Sequence, residues 1–325
     1  MKTTERILTP RRYAGEADLS AIADLINTCQ AAYDLENRTT ATQLREEFAD
    51  PTFDIDQDLR LWQDADGNLV AIADLWRQPP AAALISYLGF SMHPEVHSRD
   101  LAAEILAWAE QRVLALGANG SVPIVLHSSC RDTVEVRRSL LQQLGFQPER
   151  SFWRLQRSLT TPISKAAFPV GWHIRSVTPE DAASWVEMFN QTFIDHWNHT
   201  PATVEEFAHW VNRSDYDANL DLVVETPEGH MTAFAYSHIN PERNARLGIQ
   251  EGHVGLLGTR RGYRRLGLAR ALLTESLRRL QLLGMTTATI GVDSQNPSGA
   301  VKLYQSVGFE HQQSSTAYSK VVSHG

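Results

Sequence analysis

The residues best suited to chemistry gather in Glu251–Leu273, EGHVGLLGTRRGYRRLGLARALL. Arg260, Arg261, Arg264 and Arg265 crowd one turn, and Gly267 follows as an apolar helical repeat begins. A helix start presents unpaired backbone N–H groups and a partial positive charge, which suits a phosphate. Gly267 lets backbone approach an anion without a Cβ in the way, and guanidinium forks add charge-assisted hydrogen bonds. The same residues also suit a solvated turn ahead of an amphipathic helix. A second cluster, FIDHWNHTP, packs Asp195, His196, Trp197 and His199 into one short loop. It suits recognition of a polar or cationic molecule, or equally a capped helix end around a tryptophan. No third and fourth ligand sit at a spacing that would make it a metal site.

The elements that must carry these groups alternate. Strands are expected at Trp172–Ser176, Leu220–Glu225, Met231–Ile239, Gly252–Thr259, Thr287–Val292 and Thr316–Val322. Helices are expected at Asp181–Phe193, Thr203–Val211, Leu266–Leu283 and Ser298–Val307, the last two stopping at Gly284 and Gly308. Interleaving of this kind predicts a mixed α/β sheet.

The pattern occurs twice. LLQQLGF ends at Phe146 and LYQSVGF at Phe309; Arg12…Glu16 and Arg175…Glu180 stand at nearly the same offset, and Leu88-Gly89 and Leu257-Gly258 follow in order. The chain of 325 residues therefore reads as a duplication, with domains at 1–160 and 172–325 around a proline-containing linker, 161–171. The formal charge of −8 argues against a nucleic-acid grip, and Cys29 and Cys130 are too few for a disulfide framework or a Cys-rich zinc site. No run approaches the ~18 apolar residues of a membrane span, and MKTTERILTPRRYAG lacks a signal-peptide core, so a cytoplasmic protein is expected.

Arg264-Arg265-Leu266-Gly267-Leu268-Ala269 resembles the (Arg/Gln)-x-x-Gly-x-(Gly/Ala) signature of the GNAT acetyltransferases, and Asn296…Leu303-Tyr304…Gly308-Phe309 resembles that family's closing block. The resemblance covers roughly 172–322, with a weaker echo over 10–158. It implies two tandem GNAT-like domains, each a mostly antiparallel sheet flanked by helices, with a splayed parallel strand pair at the cofactor site. It implies transfer of an acetyl group from acetyl-CoA, without a metal. On this pattern Arg264–Ala269 cradle the pyrophosphate, Leu257, Gly258 and Thr259 pair with the pantetheine arm, and Asn296 meets the lower part of CoA. Tyr304 matches the family's usual acid. Counting back from Arg264 reaches His253, where a glutamate often stands. Glu251, two residues earlier, shares its strand face, so either could serve as base. Asp195, His196 and Trp197 are the acceptor-site candidates.

The first copy reads as disarmed. Leu84 and Ser86 fall opposite Glu251 and His253, His97 and Asp100 opposite Arg264 and Gly267, and Thr133 and Leu141 opposite Asn296 and Tyr304. A degraded copy before an intact one resembles tandem GNAT proteins of the mycothiol synthase type. That architecture carries over; the cysteinyl glycoside substrate does not, because no residue identifies it. The leading expectation is an N-acetyltransferase acting on a small-molecule amine, as a monomer or homodimer. A peptide N-terminus as acceptor and a non-catalytic CoA sensor are the alternatives.

Overall fold

The computed structural model describes residues 8–36, 38–78, 83–96, 98–117, 122–194, 197, 201–213, 216–296 and 298–323. The first half runs β1 (Thr9–Arg11), α1 (Glu16–Ala32), α2 (Ala41–Phe48), α3 (Ile55–Asp58), β2 (Leu59–Gln63), β3 (Leu69–Arg77), β4 (Leu84–Met92), α4 (Arg99–Gly117), β5 (Ile124–Arg131), α5 (Glu135–Gln143) and β6 (Gln147–Ser158). The second runs β7 (His173–Ser176), α6 (Ala182–Phe193), α7 (Val204–Val211), β8 (Asp221–Glu225), β9 (Met231–Ile239), α8 (Pro241–Leu247), β10 (Glu251–Thr259), α9 (Leu268–Leu282), β11 (Thr287–Asp293), α10 (Ala300–Ser306) and β12 (Glu310–Ser323).

The compact units do not follow the linear division expected at residues 160 and 172. One comprises Met1–Arg150 with Ser315–Gly325, the other Ser151–Ser314. The first unit's sheet has the order β1-β2-β3-β4-β5-β12, and the second unit's β7-β8-β9-β10-β11-β6. The final strand of each copy thus completes the sheet of the other. Both β5 and β11 need an antiparallel neighbour to satisfy their second edge, and the alternation of either final strand fits either place. Periodicity identifies such a strand but not its sheet.

Each sheet is antiparallel except for one pair. β4 and β5 run parallel from Leu84↔Ile124 to Tyr87↔His127, and β10 and β11 from Glu251↔Thr287 to Val254↔Ile290. Beyond these four pairs the strands part. Helices cover both faces of each sheet. In the first unit α4 supplies Ile105, Ala109 and Val113 to one core, and α1 supplies Leu19, Ile22 and Leu25 to another. In the second, Leu273, Leu277 and Leu280 of α9 pack on one face, and Trp185 and Met188 of α6 on the other.

The repeated Gly-Phe sequence is a repeated helix stop. Gly145 and Gly308 take φ of 89° and 92°, and the amides of Phe146 and Phe309 reach back to the carbonyls of Leu141 and Tyr304. This six-to-one closure satisfies an orphan carbonyl and needs a left-handed residue before the phenylalanine. Both rings are buried. The other repeat is an ion pair, shifted by one residue from the sequence alignment. Arg11, rather than Arg12, grips Asp18 at 2.8 and 2.6 Å, as Arg175 grips Asp181 at 2.6 and 2.9 Å.

Candidate active site

The site is built where β10 leaves β11. The β9–β10 register shifts between Val254 and Leu256, leaving Gly255 as a bulge that bends the strand. From Leu256 to Thr259 the strand pairs with β9 alone, so its other edge has no strand partner among the described residues. At the end of that edge the Thr259 hydroxyl is buried without a hydrogen-bond partner. Leu257 packs partly against the α9 side, whereas a Cβ at Gly258 would lie 2.5 Å from Thr192 and 2.8 Å from Phe234.

Gly267 caps α9 with φ 82°, donates no side-chain cap, and faces open space where a Cβ would stand. Among the arginines, several hold protein. Arg264 donates to the Thr259 carbonyl at 3.2 Å and the Thr192 carbonyl at 3.0 Å, tying the end of β10 to α6. Arg260 meets Glu187 at 2.8 Å and also Gln191. Arg265 is exposed with φ 65°, Leu266 is exposed, Leu268 at the start of α9 is buried, and Ala269 is half-buried. Asn296 shapes the turn before α10, its side chain accepting from the Ser298 amide at 2.8 Å.

Glu251 and His253 share one face of β10, while Gly252 and Val254 face α9. Glu251 is clasped by two guanidinium groups, Arg154 at 2.5 Å and Arg243 at 2.6 Å. Both guanidinium groups donate to the same oxygen, Oε1, so that side of the carboxylate is occupied by the chain's own groups. His253 is different. Its Nδ1 lies 2.9 Å from the Thr289 hydroxyl, and its ring meets that of His238 edge-on at 5.2 Å. Burial, then His238, Arg154 and Arg243, push its pKa down to about 3, so the imidazole is neutral at pH 7. Tyr304 packs on the α9 side with Val254, Ile290 and Val292. Its hydroxyl has no hydrogen-bond partner among the described residues, and burial pushes its pKa up to about 12. It is therefore a protonated donor at neutral pH.

Of the acceptor-loop candidates, Trp197 lies 5.7 Å from Phe152; Asp195 and His196 fall outside the described residues. Sequence reading missed a wall beside His253. His238 stands directly across the ladder from it, Tyr236 stacks near His238 at 5.9 Å, and Trp210 and Tyr216 meet Tyr236 at 4.8 and 5.7 Å. Behind them Tyr216 donates to Asp221 at 3.0 Å, and burial lifts that carboxyl to about 7. The alternation of Met231–Ile239 already places Tyr236 and His238 on one face. Arg154 carried no such signal, because it arrives on the exchanged strand β6.

The family model described as an acetyltransferase (GNAT) domain matches residues 199–324. That stretch of the second half carries a GNAT-type acetyltransferase domain. The chain is 27% identical over 232 residues to a mycothiol acetyltransferase of Thermobispora bispora, covering 71% of this chain and 72% of the relative. It is 28% identical over 253 residues to a mycothiol acetyltransferase of Streptomyces coelicolor, covering 75% and 73%. Among solved structures it is similar to a GCN5-related N-acetyltransferase from Sphaerobacter thermophilus, with a TM-score of 0.75, 22% identity and coverage of 98% and 96%. A tandem GNAT protein from the clavulanic acid biosynthesis pathway gives a TM-score of 0.70 at 14% identity, covering 98% and 100%. At these identities the structural likenesses speak to the fold. Two GNAT-like sheets, each with one splayed parallel pair, agree with it. No helix among the described residues is long and apolar enough to cross a membrane.

Proposed function

We propose that the C-terminal GNAT domain moves an acetyl group from acetyl-CoA to the primary amine of a small molecule. The observation that carries this reading is the open edge of β10 leading to an uncapped α9. An unpaired strand edge suits the amides of a pantetheine arm, the orphaned Thr259 hydroxyl offers it a polar contact, and the bare helix start at Gly267 suits a pyrophosphate. Acetyl-CoA, when bound, supplies the activated thioester. Asn296 shapes the α10 turn near the lower part of that path, and the backbone of Arg264–Ala269 forms the cradle.

The chain's own groups then divide the proton work. Tyr304, on the α9 side of the gap, gives a proton to the departing thiolate. With the Thr289 hydroxyl turned to the Gly252 carbonyl at 3.5 Å, His253 donates from Nδ1 and keeps its Nε2 lone pair for the acceptor. An amine of pKa ~10 would not lose its proton to so weak a base in water. The cationic surroundings that weaken His253, Arg154 and Arg243, also favour the neutral amine. Attack makes that nitrogen far more acidic, and His253 then receives its proton. Glu251 holds the two guanidinium groups in place rather than acting as base. Trp197, with Asp195 and His196 of the same loop, and the Tyr236–His238 wall would line the acceptor.

A small acceptor is favoured because the aligned relatives are named for mycothiol, a small molecule. The two cysteines are free and buried, which suits a reducing compartment such as the cytoplasm. The test is a thiol-release assay with acetyl-CoA against small amines and against peptides with free N-termini. Turnover with a small amine supports the reading. Turnover with peptides alone would move the acceptor to a peptide N-terminus, and binding without turnover would leave a sensor.

A further inference from the structure

The gap between β4 and β5 of the first unit is neither filled nor suited to the same ligand. It holds a cavity of about 310 Å³, the volume of ~10 water molecules at about 30 Å³ each. Cys29 of α1, Tyr33 just past its end, Asp74, Phe90, Cys130 and Arg137 line it. Arg137 reaches across the mouth of the gap. Its Nη1 donates to the Phe90 carbonyl on β4 at 2.6 Å, its Nε to the Ser129 carbonyl on β5 at 3.2 Å, and its guanidinium carbon stands 4.0 Å from the Phe90 ring centroid. The backbone acceptors that an extended amide chain would use at this point are thereby taken.

Asp74 enters the same cavity from β3. Its carboxylate lies over Gly89, where any Cβ would collide with it. Burial and Glu47 raise this carboxyl to about 6, with Trp76 and Arg137 opposing. Neither Asp74 nor Arg137 forms an ion pair among the described residues. Two opposite charges, each costly to withdraw from water, thus face one small cavity without joining. The thiols beside them are held protonated, Cys29 being pushed up to about 11, so they contribute soft apolar surface rather than charge.

We propose that this gap is a binding site for a small zwitterion of the amino-acid type, its ammonium group on Asp74 and its carboxylate on Arg137. A ligand carrying both charges offsets both desolvations at once. An anion would leave Asp74 opposed, and a simple cation would leave Arg137 unmet. The site lies wholly within the first unit and does not depend on the assignment of the second.

The test is calorimetry on the full chain with L-alanine, L-serine, β-alanine and γ-aminobutyrate. L-alaninamide, lacking the carboxylate, and L-lactate, lacking the ammonium, serve as controls, and acetyl-CoA is titrated separately. The expected result is that at least one zwitterion binds once per chain and that both controls bind at least tenfold more weakly. Affinity should fall at least tenfold in Asp74→Asn and stay unchanged in Gly267→Asp, whose defect is confined to the other unit. Near-isosteric asparagine removes the charge alone, and the control ligands probe the pair without any mutation. The proposal is overturned if no zwitterion binds at millimolar concentration, if alaninamide or lactate binds as well, or if Asp74→Asn binds as wild type does. A second acetyl-CoA event that Asp74→Asn abolishes would overturn it too.

Discussion

The two splayed strand pairs share a backbone and differ in nearly every group that could do chemistry. Both run parallel for four residue pairs and then part, and Leu84 and Ser86 occupy the ladder positions of Glu251 and His253. The helix stops make Leu141 the counterpart of Tyr304. At the helix start, Ser98 accepts from the Leu101 amide at 3.2 Å, so α4 is capped by its own chain where α9 is bare. Arg137 spans one gap, whereas the other keeps an unpaired edge and a bulge at Gly255. A gap between parallel strands is therefore a property of the fold. What it takes in is decided by a few side chains.

Tyr304 gives the comparison its hardest test. Tyr304→Phe keeps the packing and removes the hydroxyl, and kcat should fall by about 10²–10⁴-fold with acetyl-CoA affinity nearly unchanged. Leu141→Phe, the matching change in the first unit, should leave kcat at the wild-type value. A Tyr304→Phe enzyme with full kcat would remove the acid from the scheme and leave the two gaps chemically alike.

The helix starts come next. Gly267→Asp places a carboxylate where the second unit offers bare amides, as Asp100 stands in the first turn of α4. Acetyl-CoA affinity should drop by about 10²-fold, roughly 2–3 kcal/mol, read by calorimetry. Asp100→Gly should leave it untouched. An effect of Asp100→Gly on acetyl-CoA binding would show the first unit taking part.

Much of this contrast was legible in the sequence, and the reason is local. The four-pair parallel registers confirm the alignment of Leu84 and Ser86 with Glu251 and His253, because strand alternation fixes side-chain faces two residues at a time. The Gly-Phe stops aligned Leu141 with Tyr304, because a six-to-one closure demands glycine at one place. The repeat offset pairs Arg12 with Arg175, whereas Arg11 makes the ion pair, since neighbouring arginines are indistinguishable without a partner in view. The strand exchange, Arg154 on Glu251 and Arg137 across its gap all depend on contacts distant in sequence, which no periodicity encodes. Helix α8, which brings Arg243, was missed because seven residues are too few to establish a helical repeat.

Acid should act on the two gaps with opposite sign. His253 is held near 3, below the ~6.5 of an unfolded imidazole. As pH falls below 6.5 the unfolded chain binds a proton that the native one refuses, so stability declines by about 1.4 kcal/mol per unit toward pH 3. Asp74 is held near 6, above the unfolded value of 3.8. Between those values the native carboxyl keeps a proton that the unfolded chain has lost, so its penalty at neutral pH is relieved as pH falls. In denaturant melts, His253→Gln should flatten the acid decline. Asp74→Asn should stabilise the protein by about 1–3 kcal/mol at pH 7 and by almost nothing at pH 4. Two effects of the same sign would mean that one of the gaps is solvated in a way its packing does not suggest.

The smallest effect concerns the glycines beneath the two gaps. The atoms nearest a Cβ at Gly89 all belong to the Asp74 carboxylate, whereas one at Gly258 meets Thr192 and the Phe234 ring. Both Gly89→Ala and Gly258→Ala should cost about 1–3 kcal/mol in denaturant melts, as overpacking does. Only the first should be rescued. In an Asp74→Ala background Gly89→Ala should be nearly free, a coupling of about 1–2 kcal/mol. Thr192→Ser should leave most of the Gly258→Ala cost in place, because the ring remains. If Gly89→Ala is equally costly without the carboxylate, the glycine answers to the backbone. Asp74 would then be a tolerated neighbour rather than a group for which the strand makes room. Full rescue would show that the first gap, emptied of one chemistry, is shaped around a buried charge of its own.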